Sequence, residues 1–463
     1  MLRAKSIDLV REPLLPAIIK YSIPIVIAGI LQALFNIADQ AVLGWFDTSA
    51  DSSAVASVGA TGAIVGLVVN SVIGLSGGTN ILLARAVGAG DGERSRRLVG
   101  TTLLLSVGLG VLVAGLGILL APWFLEITAC PVQSFAGATT YLRIYFASAP
   151  AIFVYNFGAA IIRVSGDSRR PLYYMAFAGV LNVVLNLLLC VFMPDKVAAV
   201  AIATVASQLL GAVLVMIHLF KIEGMCHVNV KNLGFSAREM LAIIRVGLPG
   251  AFNSALYSIS NLQIQAAINS FGPSATAGNA ASSNMEILVG SFNSAFGTSS
   301  LAMIGQNIGA GNRERVKKSI FWCTLMNAAV VAVVGWTMLL LSRHLLFILL
   351  PNNPLAIEFG RVRMMCLLSI YFIPAVNTVF GSAISAFGYP AIPMISSIFT
   401  VLVWRVIWMN FIYPYMTFTG EGVKDIFNLY ICYSISWAMT FVATAAVFAV
   451  LYARYKKGRV KEL

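Results

Sequence analysis

The sequence predicts an all-α polytopic membrane protein, with twelve transmembrane helices in two similar six-helix lobes. The first observation behind this fold class is composition: of 463 residues, 59% are hydrophobic and only 11% are charged. An ordinary soluble domain carries about 25% charged residues. The net charge of +13 lies in short basic clusters between apolar segments. That is the pattern of a membrane protein with positive cytoplasmic loops, and it argues against nucleic acid as a partner.

The second observation is the length of the apolar segments, because a bilayer is crossed by about 20 apolar residues. Their length and the lack of polar alternation favour helices over a membrane barrel. The N-terminus shows no apolar stretch ending at a small-residue cleavage site, so we expect no signal peptide. The predicted spans are residues 16–46, 54–83, 98–120, 137–162, 171–193, 197–220, 241–270, 275–303, 319–341, 356–385, 391–414 and 426–453.

The basic residues orient these spans. With twelve helices, one side of the membrane receives 24 of the 31 Lys and Arg residues, and the other side receives 5, with Arg361 and Arg363 among the latter. The side with more Lys and Arg residues is cytoplasmic by the positive-inside rule. We therefore expect a multi-pass protein of the inner cell membrane with both termini in the cytoplasm.

The third observation is an internal repeat. Residues 86–97 read AVGAGDGERSRR and residues 307–318 read NIGAGNRERVKK. IPIVIAGILQALFNIADQA (23–41) likewise matches LPGAFNSALYSISNLQIQA (248–266), with Pro24 facing Pro249. Helices 1–6 and 7–12 are thus two copies, and an even number of helices makes the copies parallel about an axis along the membrane normal. The predicted domains are an N-terminal lobe 1–220, a cytoplasmic linker 221–240 and a C-terminal lobe 241–463. This organisation favours alternating-access transport over a static duplicated bundle.

Two acids, Asp39 and Glu286, lie well inside apolar spans. An ionisable group there costs about 2.5–3.5 kcal/mol on insertion scales and by default marks an ion path, although local pairing is the alternative. Around Asp39 we expect amide and hydroxyl oxygens from one turn before it and from the fifth and sixth helices, namely Asn36, Asn182, Asn186 and Thr204. Such a set suits a hard cation such as Na+. It equally suits a carboxyl group that binds H+.

Three motifs carry a resemblance to a known family. They are GQNIGAG at Gly305–Gly311, the R-x-x-G-D of Arg163–Asp167, and Pro24 followed by an Asn-x-x-Asp. Together with the GAG-x-x-E-R loops that recur after helices 2 and 8, they resemble the prokaryotic multidrug and toxic compound extrusion (MATE) transporters of the MOP superfamily. The resemblance implies export of organic, often cationic and lipophilic, compounds by antiport with H+ or Na+, without any other cofactor. The sequence agrees in having no P-loop.

The resemblance also bears on the ion site. Some members have Asp in helix 1, Asn and Asp in helix 5 and Thr in helix 6, which Asp39, Asn182 and Thr204 match. These three residues imply a possible Na+ site, whereas Asn186 replaces the second Asp and implies weaker Na+ binding or a lone proton carrier. Another branch has acids in helices 7 and 10. Here those helices offer Asn261, Gln265 and Asn377, so Glu286 is the remaining carboxylate deep in the second lobe.

The other candidates concern the substrate. Pro24 is the expected hinge, and the predicted substrate cleft has the residues Tyr155, Met175, Tyr257 and Phe292, for which packing is the alternative role. We expect small organic substrates, a lipid bilayer and a monomer. A related flippase of lipid-linked saccharides is the first alternative, but only Arg143 and Arg405 are mid-span cations. A membrane enzyme is the second alternative, but the sequence has no HExxH, GxSxG or histidine cluster.

Overall fold

The structure is a computed structural model, and it describes residues 7–46, 53–128, 130–228, 234–351, 353–416, 420 and 422–457. This part of the chain is helical and contains no strand. The helices are α1 (Leu14–Phe46), α2 (Ser53–Gly88), α3 (Gly92–Ile127), α4 (Val132–Ala147), α5 (Ala149–Val164), α6 (Arg169–Phe192), α7 (Lys196–Lys221), α8 (Ala237–Ser270), α9 (Pro273–Gly309), α10 (Arg313–Leu340), α11 (Ser342–Leu349), α12 (Pro354–Leu368), α13 (Phe372–Ala386), α14 (Ala391–Ser397), α15 (Trp404–Ile407) and α16 (Gly422–Lys456).

Among the described residues, ten helices are long and apolar enough to cross a membrane, and there are twelve spans if each of two bent pairs counts as one. The stretch Ala391–Tyr415 is one of the ten. It contains α14 and α15, with π-helical turns at Ile398–Val403 and Trp408–Ile412. The predicted fold class, an all-α polytopic membrane protein, is confirmed.

The two bent pairs are α4–α5, with a bend of 47°, and α12–α13, with a bend of 44°. The sequence analysis predicted each pair as one continuous span. Proline explains the breaks, because Pro150 lies at the start of α5 and Pro374 lies near the start of α13. A proline lacks the backbone N–H and its ring displaces the preceding turn. Both breaks fall at the same place in the repeat, about 221 residues apart.

The repeated GAG motif connects one helix directly to the next. Gly90 has φ +73° and Gly311 has φ +70°, a left-handed conformation that glycine adopts without strain. The N–H groups of Gly90 and of Asp91 then bond back to α2, which is the Schellman pattern of a helix end. Asp91 also caps α3 by accepting from the Arg94 N–H at 2.9 Å, and Asn312 repeats this at the start of α10. The small polar residue after GAG is therefore required by the sharp helix-to-helix turn.

The contacts group the chain into two compact units. The first unit comprises Met1–Glu12 and Ile23–Ala251, and the second comprises Pro13–Ser22 and Phe252–Leu463. Consequently α1 and α8 each belong partly to one unit and partly to the other. In both helices the change falls within a few residues of the repeated proline, Pro24 or Pro249. In the second unit, the buried Ser22 hydroxyl donates to Ser299 at 2.8 Å.

Within the first unit, α2 crosses the beginning of α8 at glycines. Gly74 and Gly78 on α2 face Gly247 and Gly250 on α8. A Cβ added to Gly74 would lie only 2.5 Å from the carbonyl carbon of Gly250. Small residues at such a crossing let two backbones touch, which is how membrane helices gain packing without a hydrophobic driving force between them.

Candidate functional site

Asp39 lies in α1 of the first unit and is bonded to α6. The Nδ2 amide of Asn186 donates to Asp39 Oδ1 at 2.5 Å and also approaches Asn182 Oδ1 at 3.4 Å. Asn186 is fully buried and Asn182 is 5% exposed. A hydrogen bond to a carboxylate is stronger than one between neutral groups. The structure thus brings Asp39, Asn182 and Asn186 together.

The approach of α1 to α6 follows from a glycine. Phe35 is one helical turn before Asp39, and Gly179 is two turns before Asn186. The Phe35 ring occupies the space in which a side chain on Gly179 would stand. This contact lies one turn from Asp39 and two turns from Asn186, on the same helix faces. The short side chains of Asp39 and Asn186 can therefore meet.

Thr204 reaches the cluster through a residue that the sequence analysis did not name. The Thr204 hydroxyl donates to the Val200 carbonyl at 3.0 Å, and the Thr204 side chain is hydrogen-bonded to Tyr141 of α4. Tyr141 is 7% exposed and lies within electrostatic range of Asp39. The signal that could have pointed to it is a phenol hydroxyl in a mostly apolar span, since a buried tyrosine hydroxyl usually needs a partner.

One oxygen of this cluster lacks a partner within the described part of the chain. Asn186 Oδ1 is buried and accepts no hydrogen bond there. A buried polar atom without a partner calls for an explanation such as an ion or a water. Carboxylate, amide and hydroxyl oxygens are the ligands that a hard cation prefers, so the residues present fit Na+ as well as H+. The side chain of Asn36, the other predicted member, lies outside the described residues.

The candidates of the second unit make separate contacts. Glu286 forms an ion pair of 2.5 Å with Arg363, which is only 7% exposed. The orientation by basic residues places Arg363 outside the membrane spans. That assignment was wrong, because α12 carries Arg363 into the interior, where Glu286 is its counter-ion.

The three amide candidates of this unit do not come together in one acidic site. Asn261 Oδ1 accepts from Arg405 at 2.7 Å, and Gln265 bonds Asn279 and Asn269, each at 2.8 Å. Asn377 has a buried Oδ1 without a partner among the described residues. Among these second-unit candidates, therefore, Glu286 and Asn261 each have a buried arginine as partner.

The predicted cleft residues are distributed over both units. Tyr155 on α5 donates its hydroxyl to the Pro171 carbonyl at 3.1 Å, and Met175 on α6 is half-buried. In the second unit, Tyr257 is hydrogen-bonded to Ser397, and Phe292 packs against the hydrophobic core of that unit. Their role in substrate binding stays a prediction, as does that of Pro24 as a hinge.

A duplicated polytopic bundle, with an ionisable group held by amides inside one repeat, is typical of membrane transporters. The MatE family model matches the chain twice, at residues 24–188 and 249–410, once in each copy of the repeat. The chain therefore belongs to the MatE family of multidrug efflux transporters.

Its relatives agree with this assignment. The chain is 24% identical to the probable multidrug resistance protein YpnP of Bacillus subtilis, over 99% of both chains. It is 23% identical to an FAD transporter of Shewanella oneidensis, over 82% of this chain and 84% of that one. A solved structure of a multidrug resistance MATE family transporter in an outward-facing conformation shares the fold, with a TM-score of 0.85, 20% identity and coverage of 97% and 99%.

Proposed function

We propose that the protein exports organic, often cationic and lipophilic, compounds by antiport with H+ or Na+ through alternating access. The observation that carries this proposal is the Asp39 cluster, in which the fully buried Asn186 amide donates its N–H to the acid while its oxygen has no partner among the described residues. An ionisable group inside a membrane span is costly, and by default it marks an ion or proton path. The names of relatives, multidrug resistance proteins and an FAD transporter, support small organic molecules as substrates.

Coupling follows from competition for one carboxylate. Asp39 binds the incoming ion or helps to hold the substrate, but not both together. Loading Asp39 with the ion changes its bond to Asn186 and so the packing of α1 on α6. Pro24 lies in the same helix and lacks a backbone N–H, which lowers the energy needed to bend there. The substrate is then released outward.

Under this proposal, Asn186 bears on the choice of ion. Asn186 is neutral, so the cluster holds one formal charge instead of two. One carboxylate binds a single proton without any second acid, whereas Na+ binding relies on the neutral oxygens of Asn182, Asn186 and Thr204 to complete its shell. We include both ions in the proposal, and no cofactor beyond the coupling ion. We further propose that the chain acts as a monomer in the cell membrane, with both termini in the cytoplasm.

The test uses proteoliposomes that contain the purified protein, with Na+ and H+ gradients imposed separately and ethidium as substrate. Asp39→Asn keeps an oxygen that can accept from Asn186 and removes only the charge. We expect Asp39→Asn to abolish gradient-driven efflux, whereas Glu126→Gln, which neutralises an exposed acid of the same unit, leaves efflux unchanged. Efflux by Asp39→Asn at the wild-type rate would show that Asp39 is structural. Efflux that depends on neither gradient would overturn antiport.

A further inference from the structure

Arg405 is a buried charge that the antiport proposal does not use. It is 1% exposed, which places it among the most deeply buried large side chains of the described residues. It lies in the short helix α15, between the two π-helical turns Ile398–Val403 and Trp408–Ile412. π-helical turns are rare and frequently occur at functional sites.

The described contacts of Arg405 are all with neutral groups. Its Nη1 donates to Asn261 Oδ1 at 2.7 Å and to Ser260 Oγ at 3.3 Å. The guanidinium carbon lies 4.3 Å from the centre of the Tyr433 ring. The buried Nε has no hydrogen-bond partner in the described part of the chain. The Nε–H is therefore a donor of this guanidinium that has no acceptor there.

The four acids of the second unit that the structure describes make their own contacts. Glu286 neutralises Arg363, Glu314 pairs with Lys318, and Glu358 pairs with Arg361. Asp425 accepts from the Gly420 N–H at 3.0 Å. Tyr433 lies within electrostatic range of Arg405, Arg363 and Glu286, and of these three charged side chains only Glu286 is negative. A buried charge without a counter-ion is strongly destabilising, unless an anion supplies the missing charge.

We propose that Arg405 receives the carboxylate or phosphate group of an organic anion that the protein transports. This inference rests on the proposed transport function and extends its substrates from cations to anions and zwitterions. A guanidinium presents a planar set of N–H donors that matches a carboxylate or phosphate, and the Nε–H is one of those donors. Tyr433 and Tyr257 lie around the same charge and provide aromatic surface for the organic part of the solute.

Access to Arg405 is through Asn261. Asn261 is exposed, so one side chain covers the Nη1 of a guanidinium that is otherwise buried. A carboxylate that displaces the Asn261 oxygen exchanges a neutral acceptor for a charged one, and charge-assisted hydrogen bonds are about twice as strong. From the sequence, Asn261 is a second-lobe candidate in a helix where another branch of the family has an acid, whereas its contact with Arg405 makes it the neutral stand-in for an anion.

The experiment compares an anionic and a cationic dye, carboxyfluorescein and ethidium, in phosphatidylcholine proteoliposomes with imposed ion gradients. The variants are Arg405→Gln, Arg405→Lys and the control Arg361→Gln, which removes a positive charge that already has a partner in the same unit. We expect the wild type to transport both dyes. Arg405→Gln should lower carboxyfluorescein transport about tenfold or more, the effect of losing a charged hydrogen bond, and change ethidium transport less than about twofold. Arg405→Lys should lose less carboxyfluorescein transport than Arg405→Gln. Arg361→Gln should transport both dyes at the wild-type rate.

Two outcomes separate this inference from the proposed function. If the wild type moves ethidium but not carboxyfluorescein, or if Arg405→Gln lowers both dyes equally, the anion site is overturned and cation export stands. If neither dye moves under either gradient, the proposed function itself fails. Should Arg405→Gln not fold, carboxyfluorescein polarisation with wild-type protein in phosphatidylcholine nanodiscs decides the matter. Benzoate should displace the dye and benzylamine should not, and the reverse order would overturn the site.

Discussion

The glycine contact between α2 and α8 gives the sharpest structural prediction, the substitution Gly74→Ala. An added methyl group would lie 2.5 Å from the carbonyl carbon of Gly250, 2.6 Å from its oxygen and 2.7 Å from the Ala251 nitrogen. Unstrained contacts between carbon atoms are about 3.5–4.0 Å. All three neighbours are backbone atoms, so no side chain can rotate away, and the helices must separate by about 1 Å.

The magnitude follows from two opposing effects. Overpacking costs about 1–3 kcal/mol, and a clash with backbone lies at the upper end of that range. Alanine is better than glycine inside a helix by about 0.5–1 kcal/mol, which offsets part of the loss. We expect Gly74→Ala to lower the free energy of unfolding by about 2 kcal/mol. Gly77→Ala, one turn further along α2, has open space within 4 Å and should be neutral or slightly stabilising.

The assay is the apparent melting temperature of detergent-solubilised protein. It is measured by size-exclusion chromatography with fluorescence detection after heating. A protein with two units need not unfold in one step, so the readout is the rank order of the variants. Gly74→Ala should melt below the wild type, and Gly77→Ala at or above it. Equal melting temperatures for the two alanine variants would refute the inferred backbone contact.

Two further changes test the ion pair and the repeated helix connector. Glu286→Gln should lower the free energy of unfolding by about 2–4 kcal/mol, because it leaves Arg363 buried without its counter-ion, and a double-mutant cycle with Arg363→Met should recover part of that loss in thermal melting. A double-mutant cycle without coupling energy between Glu286 and Arg363 would rule out the ion pair. Asp91→Ala and Asn312→Ala should each lower stability by about 1 kcal/mol, because both remove a helix N-cap, and their melting temperatures should fall by similar amounts. A loss in only one copy would show that the two connectors are not equivalent.

The sequence predicted the spans and the duplication well because both are properties of composition along the chain. Hydrophobicity marks where a helix crosses the bilayer, and the GAG motif recurs with the same spacing and the same turn. The neighbours of Asp39 were also within reach, since Asn182 and Asn186 share one face of a helix. What the sequence left open was which faces of different helices meet.

The missed side-chain contacts depend on packing between distant segments. Arg363 lies 77 residues from Glu286, and nothing in the local pattern shows that the two side chains point at each other. Tyr141 reaches Thr204 only because α4 packs on α7. The π-helical turns around Arg405 add no distinct residue type, so hydrophobic periodicity does not reveal them.

The shared membership of α1 has a consequence for the order of assembly during synthesis. Residues 13–22 are synthesised well before residues 252–463, yet their contacts belong to the same unit, as in the bond of Ser22 to Ser299 across 277 residues. The N-terminal turns of α1 therefore wait for most of the chain before they reach their final neighbours, while residues 23–46 can pack early. Contacts of such long sequence separation form late and slowly. The two halves of this gene-duplicated chain, expressed as separate fragments, would each lack a piece of helix that the other half encodes.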